Sequence, residues 1–274
     1  ERMERSPVGG HRFHRWLAEV AQHRVSVLAG RWWSRGRLAV ADLLFPPHCF
    51  LCGIELDDGV RAFCPPCHTA LTSQEAGCPR CARPLPRYSR ADSGGCLVCR
   101  RQRLGFDQAV AVGIYGGAVR QLVLRIKQAR HESLCLAAGG VLAEVLRRRL
   151  ADDWPDLIIP VPMHWSRRLL RGLNDAELLA EVVAESLQRP VRNHQVQHTR
   201  PTRKQGTLLP AERARNVRGA YRLGRKPRIE RQHILLVDDV MTTGATASEI
   251  SRVLRRGGAR KVSVGVIARG VGYT

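Results

Sequence analysis

Eight of the nine cysteines in this 274-residue chain fall into four Cys-x-x-Cys pairs: Cys49/Cys52, Cys64/Cys67, Cys78/Cys81 and Cys96/Cys99. Two residues between paired thiols let both sulfurs meet one ion from a tight knuckle turn. Two such knuckles complete a tetrahedral four-cysteine site. Gly53 after Cys52, and Pro65, Pro66 and Pro79, suit those turns. The pattern predicts two structural Zn2+ sites, each closed by four thiolates, with no open position for catalysis. Disulfides do not persist in a reducing cytosol, and a thioredoxin-like redox pair stands alone at a helix start. Order along the chain suggests tandem pairing, the first two pairs on one ion and the last two on another; interleaved pairing is the alternative. Metal would fold a segment too short and too polar to hold itself together. His48 and His68 beside the ligands read as bystanders, and Cys135, in a helical apolar stretch, as a small core residue.

A second constellation lies near the C-terminus. The apolar run Ile234–Val237 meets Asp238 and Asp239, then Val240, Met241, Thr242, Thr243, Gly244, Ala245 and Thr246, before apolar spacing suited to a helix resumes. Strand, short loop, helix is where a parallel sheet binds ligands, beyond the carboxyl ends of its strands. Residues 242–246 would line a helix N-terminus, whose amides and positive dipole end favour an anion. Threonine hydroxyls add donors, and Gly244 admits close backbone approach. Carboxylates accept hydrogen bonds from vicinal hydroxyls and repel phosphate. The set suits a phosphorylated ribose, with its phosphate over the threonine loop and its hydroxyls on Asp238 and Asp239. The plainer alternative is an ordinary cap by Thr242 or Thr243 after an acidic turn, which needs one such residue rather than the whole set.

The elements that must position these groups follow from periodicity. Residues 109–115, 157–161, 234–237 and 262–268 read as strands; residues 119–126, 133–150, 175–187 and 246–256 read as helices. Their alternation predicts an α/β fold, a mostly parallel sheet with helices on both faces, over residues 105–274. A basic N-terminal extension (residues 1–40), read as a loose amphipathic helix or arm, and a cysteine module (residues 41–104) precede it. Pro160-Val161-Pro162 leads into His164, Arg167, Arg168, Arg171, Gly172 and Asn174. That helix-entry loop is either a pyrophosphate-binding loop with bidentate arginines or a solvated basic loop. Residues 198–231 are basic with little apolar periodicity, and read as a mobile lid or a loop lying on a nucleic-acid backbone. Lys127, after an apolar helical run, would reach a pyrophosphate or solvate a helix end.

The formal net charge is +21, from 45 Lys and Arg against 24 Asp and Glu. Only Lys127, Lys204, Lys226 and Lys261 are lysine. Either a GC-rich genome loads arginine onto the surface, or the chain binds a polyanion, nucleic acid or phosphorylated substrate. No segment reaches the roughly 18 apolar residues of a membrane span. Arg12, Arg15, Glu19, Arg24 and Arg31 break the N-terminal stretch, which leaves no apolar core for a signal peptide. A cytoplasmic protein is expected. No dedicated nucleophile, general base or glycosidase glutamate pair is evident.

VDDVMTTGAT (residues 237–246) resembles the PRPP-binding loop of type I phosphoribosyltransferases. The likeness extends to DLLFPPHCFLCG (residues 42–53), the four Cys-x-x-Cys pairs and LGFDQAVAVGIYGGAVRQLVLRIKQAR (residues 104–130). It includes DLIIPVPMHWSRRLLRGLNDAELL (residues 156–179) and the spacing of Gln205, Arg213, Asn216 and Gly219. Together these resemble the ComF/GntX family of phosphoribosyltransferase-like competence proteins. The resemblance implies a double zinc ribbon fused to a type I phosphoribosyltransferase-like domain. It implies PRPP or another ribose-5-phosphate ligand on Asp238, Asp239 and residues 240–246, with Mg2+ bridging pyrophosphate and ribose oxygens. Asp238, Asp239, Arg171 and Lys127 would form the catalytic set for transfer of a ribosyl group to an acceptor base. A link to DNA uptake in natural transformation follows, with single-stranded DNA and the competence machinery as partners. The alternatives are a non-catalytic single-stranded-DNA-binding module, a nucleotide-salvage phosphoribosyltransferase and a PRPP-sensing regulator. Asn174-Asp175 replaces the family's usual Asn-Gln, and Lys127-Gln128-Ala129-Arg130 lacks the aromatic residue and glycines that often follow the lysine.

Overall fold

The structure is a computed structural model that describes residues 47–56, 62–73, 77–85, 94–128, 132–151, 153–164, 174–203 and 208–271. The expected arm at residues 1–40 lies outside the described residues, as do Arg167, Arg168, Arg171 and Gly172. The chain divides into two compact units, residues 1–69 and 70–274.

In the first unit the knuckle after His48 closes through a Gly53 N–H to Cys49 carbonyl bond of 2.9 Å. Gly53 takes φ of 78°, which glycine adopts without a side-chain clash. Helix α1, Pro65–Thr72, opens on two prolines, whose missing N–H groups fall where a helix has no acceptor to offer.

The second unit begins with its own knuckles and α2 (Leu97–Arg101). β1 (Gln108–Ile114), α3 (Gly117–Ile126), α4 (Glu132–Arg149), β2 (Leu157–Pro160) and α5 (Asp175–Leu187) follow. β3 (Val196–His198), α6 (Pro210–Val217), β4 (Tyr221–Leu223), β5 (His233–Met241), α7 (Ala245–Arg256) and β6 (Lys261–Arg269) complete it. β1, β6, β5 and β2 pair in that order and all run parallel. The central strands read as near-continuous Ile, Leu and Val because helices cover both faces. α4 and α5 pack together on one face; a Cβ on Gly139 would lie 2.8 Å from Val182 Cβ, so glycine lets them close up. On the other face Ile250, Val253 and Leu254 of α7 join Leu236, Val264 and Val266 in one buried cluster. Periodicity therefore finds the elements of the main sheet to within a few residues.

Two expectations need correction. Apolar composition predicts that the strand after residue 232 stops at Val237. β5 instead continues through Asp238 and Asp239 to Met241, because β6 pairs with it to the end: Asp238 opposes Val266, and Met241 opposes Arg269. The acid pair stands on a strand, and only residues 242–244 form the loop. The described part of residues 198–231 also holds regular structure that its lack of apolar periodicity did not lead one to expect. β3 and β4 pair antiparallel, Val196 opposite Leu223 and His198 opposite Tyr221, and α6 lies between them in sequence. Val217, Ala220, Tyr221 and Ile229 anchor this stretch in the core beside α7. Single apolar residues scattered among arginines carry no periodic signal. The Arg200 guanidinium donates to the carbonyls of Asn216 (3.0 Å) and Arg218 (2.9 Å), so part of the basic charge holds the segment to itself.

Candidate functional site

The described cysteines gather into two tetrads, Cys49, Cys52, Cys64 and Cys67, and Cys78, Cys81, Cys96 and Cys99; the sulfurs of each lie within 4.8 Å of one another. The pairing is tandem. Sγ atoms of Cys52 and Cys64 are 3.6 Å apart, and those of Cys78 and Cys99, Cys81 and Cys96, and Cys96 and Cys99 are 3.7 Å apart. A tetrahedron with metal–sulfur arms of about 2.3 Å has edges of about 3.8 Å, whereas a disulfide is about 2.05 Å long. The N–H of Cys64 donates to Cys49 Sγ at 3.3 Å, and that of Cys96 to Cys78 Sγ at 3.2 Å, contacts that favour thiolates. Burial pushes these thiols up, but backbone amides outweigh it at Cys49, pulled down to about 6, and at Cys96, pulled down to about 7. Burial, with the charges of Cys78 and Cys96, pushes Cys81 up to about 11. Thiols this close cannot all ionise until a cation offsets their repulsion. The two tetrads fit two structural zinc ions, and His48 and His68 belong to neither ligand set.

At the carboxyl edge of the sheet, Asp239 N–H donates to Asp238 Oδ1 at 2.9 Å and Val240 N–H to Asp239 Oδ1 at 2.7 Å. Lys127, which caps α3, forms an ion pair with Asp239 Oδ2. Burial, reinforced by the Asp239 charge, pushes the Asp238 carboxyl well above the usual carboxylate range. Burial alone would lower Lys127, but Asp239, then Asp238 and Asp175, outweigh it and raise the ammonium. Asp175 thus shares the field of this cluster. In the sequence it stood out only as a departure from the family pattern. Its local clue is its place at a helix start, next to the Asn174 cap. Asn174, 4% exposed, caps that helix: Oδ1 accepts from Ala176 N–H (3.3 Å) and Nδ2 donates to the Val161 carbonyl (3.2 Å). Its polar atoms hold the end of β2 to the start of α5. Cys135, 1% exposed, is the core residue expected, its thiol 3.5 Å from the Asp175 carbonyl.

The turn into α7 is tight. Gly244 caps the helix at φ 77°, so glycine is required there by its left-handed backbone. Thr243 Oγ1 accepts from Ala245 N–H at 3.3 Å, and helical bonding begins with Ser248 N–H to the Gly244 carbonyl at 2.8 Å. The first turn has the character that favours an anion. Sequence patterning also misses an aromatic row beyond β2. His164 meets His198 edge-on, ring centroids 5.5 Å apart, and His198 tilts against Tyr221 at 4.4 Å. No helix among the described residues is long and apolar enough to cross a membrane.

Paired four-cysteine sites ahead of a parallel α/β sheet, with an acid pair and a glycine-capped helix entry at its carboxyl edge, define a double zinc-ribbon protein with an α/β domain. The profile of the double zinc ribbon domain matches residues 40–101. DNA utilization protein YhgH of Escherichia coli (strain K12) is 32% identical over 230 residues, 83% of this chain and 99% of that protein. Competence protein F of Haemophilus influenzae is 29% identical over 225 residues, 81% of this chain and 96% of that protein. A purine phosphoribosyltransferase from Pyrococcus horikoshii superposes with TM-score 0.32 at 18% identity, over 49% of this chain and 73% of that one. The chain belongs to the ComF/GntX family.

Proposed function

We propose that this chain binds PRPP, or a close ribose-5-phosphate ligand, at the carboxyl edge of its sheet, in the service of DNA uptake or use. One observation carries the reading: the Asp238-Asp239 pair on β5 is followed at once by a glycine-capped helix entry, with Lys127 closing on Asp239. The turn at residues 242–246 suits the 5′-phosphate. The acid pair suits the ribose hydroxyls, which can donate hydrogen bonds to its oxygens. Lys127 and Arg171 would neutralise pyrophosphate. Asp239 already spends one oxygen on Val240 N–H and the other on Lys127. The acid pair alone therefore offers no all-carboxylate cage for Mg2+, and the ion would be held by ligand oxygens and water. When bound, Mg2+ supplies charge neutralisation on the leaving group.

Turnover, if an acceptor base is present, would break the C1′–oxygen bond, with its electron pair leaving on pyrophosphate. The acceptor nitrogen forms the new C1′ bond and gives its proton to solvent. Positioning and leaving-group stabilisation supply the rate. The relatives named for DNA utilization and for competence support the biological setting. The +21 charge favours a second, compatible reading in which single-stranded DNA lies on a basic face.

A melt with PRPP and Mg2+ tests the first reading. Ligand at about 100 times Kd stabilises by about 2.7 kcal/mol, a rise of roughly 5 °C or more for a unit this size. Asp238→Asn with Asp239→Asn should abolish the rise. A wild-type melt unmoved by millimolar ligand would refute the reading.

A further inference from the structure

Arg269 ends β6 with its side chain almost wholly enclosed, 3% exposed. A charge so buried ordinarily stands against a carboxylate. Among the described residues, the hydrogen bonds of this guanidinium go instead to main-chain carbonyls and to the Cys81 side chain. Nε donates to Cys81 O at 2.7 Å and Nη1 to Met241 O at 3.1 Å; Nη1 also donates to Thr242 O and Gly270 O. One edge of the fork ends on a knuckle of the second cysteine tetrad. The other ends on the residues that open the turn into α7.

The tetrad and the turn are also connected, through intervening apolar residues, inside the same compact unit. Leu104 packs against both the Cys78, Cys81 and Cys99 cluster and the core of the sheet. Phe106, two residues on, lies under the turn: a Cβ on Gly244 would meet its ring at 3.3 Å. Pro79 O accepts from Ala109 N–H at 3.2 Å, fastening the knuckle to the start of β1. Charge runs the same way. Four thiolates around one Zn2+ leave two net negative charges beside Cys81, which would supply Arg269 with the counter-charge that a carboxylate ordinarily provides.

We propose that Arg269 is a positioning residue that couples the second tetrad to the turn at residues 242–246. Metal held by Cys78, Cys81, Cys96 and Cys99 then sets the order of the turn and, resting on the phosphoribosyl reading above, the affinity of its ligand. The second zinc ribbon is a built-in support of the ligand site as well as a staple of its own segment.

The test compares wild type, Arg269→Lys, Cys96→Ser and the double variant. Hydrogen exchange is read at residues 241–246, zinc content by dye release, and PRPP–Mg2+ affinity by calorimetry. A lysine keeps the charge but cannot reach carbonyls on both sides as the planar fork does. Arg269→Lys should retain zinc yet exchange at the turn about tenfold faster or more, the loss expected for a charge-assisted bond. Cys96→Ser should lose the zinc of that tetrad and exchange at the turn faster by a similar factor, and the double variant should be no faster than the faster single. Turn exchange as slow as wild type in Arg269→Lys, or multiplying effects in the double variant, would overturn the coupling.

Chelation of wild-type protein covers the case in which a variant does not fold. Faster exchange at the turn with α4 and α5 still protected, reversed by added zinc, supports the proposal; an unchanged turn, or loss of protection throughout, overturns it. PRPP affinity about tenfold weaker in both single variants supports it, and equal affinity overturns it. If wild type binds no PRPP, the phosphoribosyl reading falls, while exchange at the turn still decides the coupling.

Discussion

Asp238 is held in an environment that suits a ligand better than it suits the free protein. Its carboxyl is pushed upward by burial and by Asp239, so the folded state prefers the protonated form more than the unfolded chain does. The resulting stability is complete below the unfolded value near 3.8 and is lost as pH rises toward the elevated folded value. Ionising Asp238 therefore weighs against folding. Asp238→Asn removes that charge and keeps an oxygen for Asp239 N–H. The melting-temperature difference, variant minus wild type, should climb as pH is raised from 4 to 7.5, while the PRPP-induced rise disappears. A difference flat across that range would show that Asp238 is not strained. At this scale, legibility depends on how local the signal is. Cys-x-x-Cys spacing and the string from Val237 to Thr246 are consecutive in sequence, so their chemistry can be read directly. Arg269 and Asp175 draw their roles from groups brought by distant segments, and no short window contains both ends of such a contact.

At the opposite edge of the sheet, β1, β5 and β6 are tied by one buried polar network. His233, 0% exposed, places Nε2 2.6 Å from Ser263 Oγ and Nδ1 3.1 Å from the Trp154 carbonyl. That carbonyl can only accept, so Nδ1 carries the proton. Ser263 Oγ accepts from Gln108 Nε2 at 2.9 Å and is left to donate to Nε2. Asp153, paired with Lys261, stands 3.4 Å from Nδ1. Burial depresses His233; Asp153 opposes this while Lys261 and Arg260 add to it, and the net shift is downward. A depressed histidine contributes stability that is present above its unfolded value near 6.5 and is lost as pH falls toward the lower folded value. Asp153 is also lowered, chiefly by its bond to Lys261 and the charge of His233 against the upward push of burial, and acts in a separate window below about 3.8. Chemical denaturation should show wild type weakening between pH 7 and 5. His233→Gln should begin less stable and show a shallower slope; an equal slope would move the acid sensitivity elsewhere. The elements joined here are those that periodicity finds, because each is long and buried on a regular face. β3, α6 and β4 escape it, since two three-residue strands and an eight-residue helix rest on isolated anchors among arginines.

Over the whole chain, alternation of strands and helices makes the fold class readable, while the excess of arginine by itself names no partner. Charge carries no address. Some arginines are already committed, as Arg200 is to the carbonyls of Asn216 and Arg218, and Arg255 is to Asp107. Formal net charge therefore overstates what a strand of DNA can meet. Placement of the acids sharpens the expectation. Asp238 and Asp239 repel a phosphate backbone, so an oligonucleotide should bind away from the turn that suits a single terminal phosphate. A single-stranded oligomer neutralised at about five phosphates would lose roughly a hundredfold in affinity between 50 and 200 mM salt. Saturating PRPP–Mg2+ should leave that affinity within about twofold, and Asp238→Asn with Asp239→Asn should leave the salt slope alone. Fluorescence anisotropy with a labelled oligomer measures all three. Stoichiometric displacement of the oligomer by PRPP would mean that one pocket serves both ligands, and separate faces for strand and sugar phosphate would have to be abandoned.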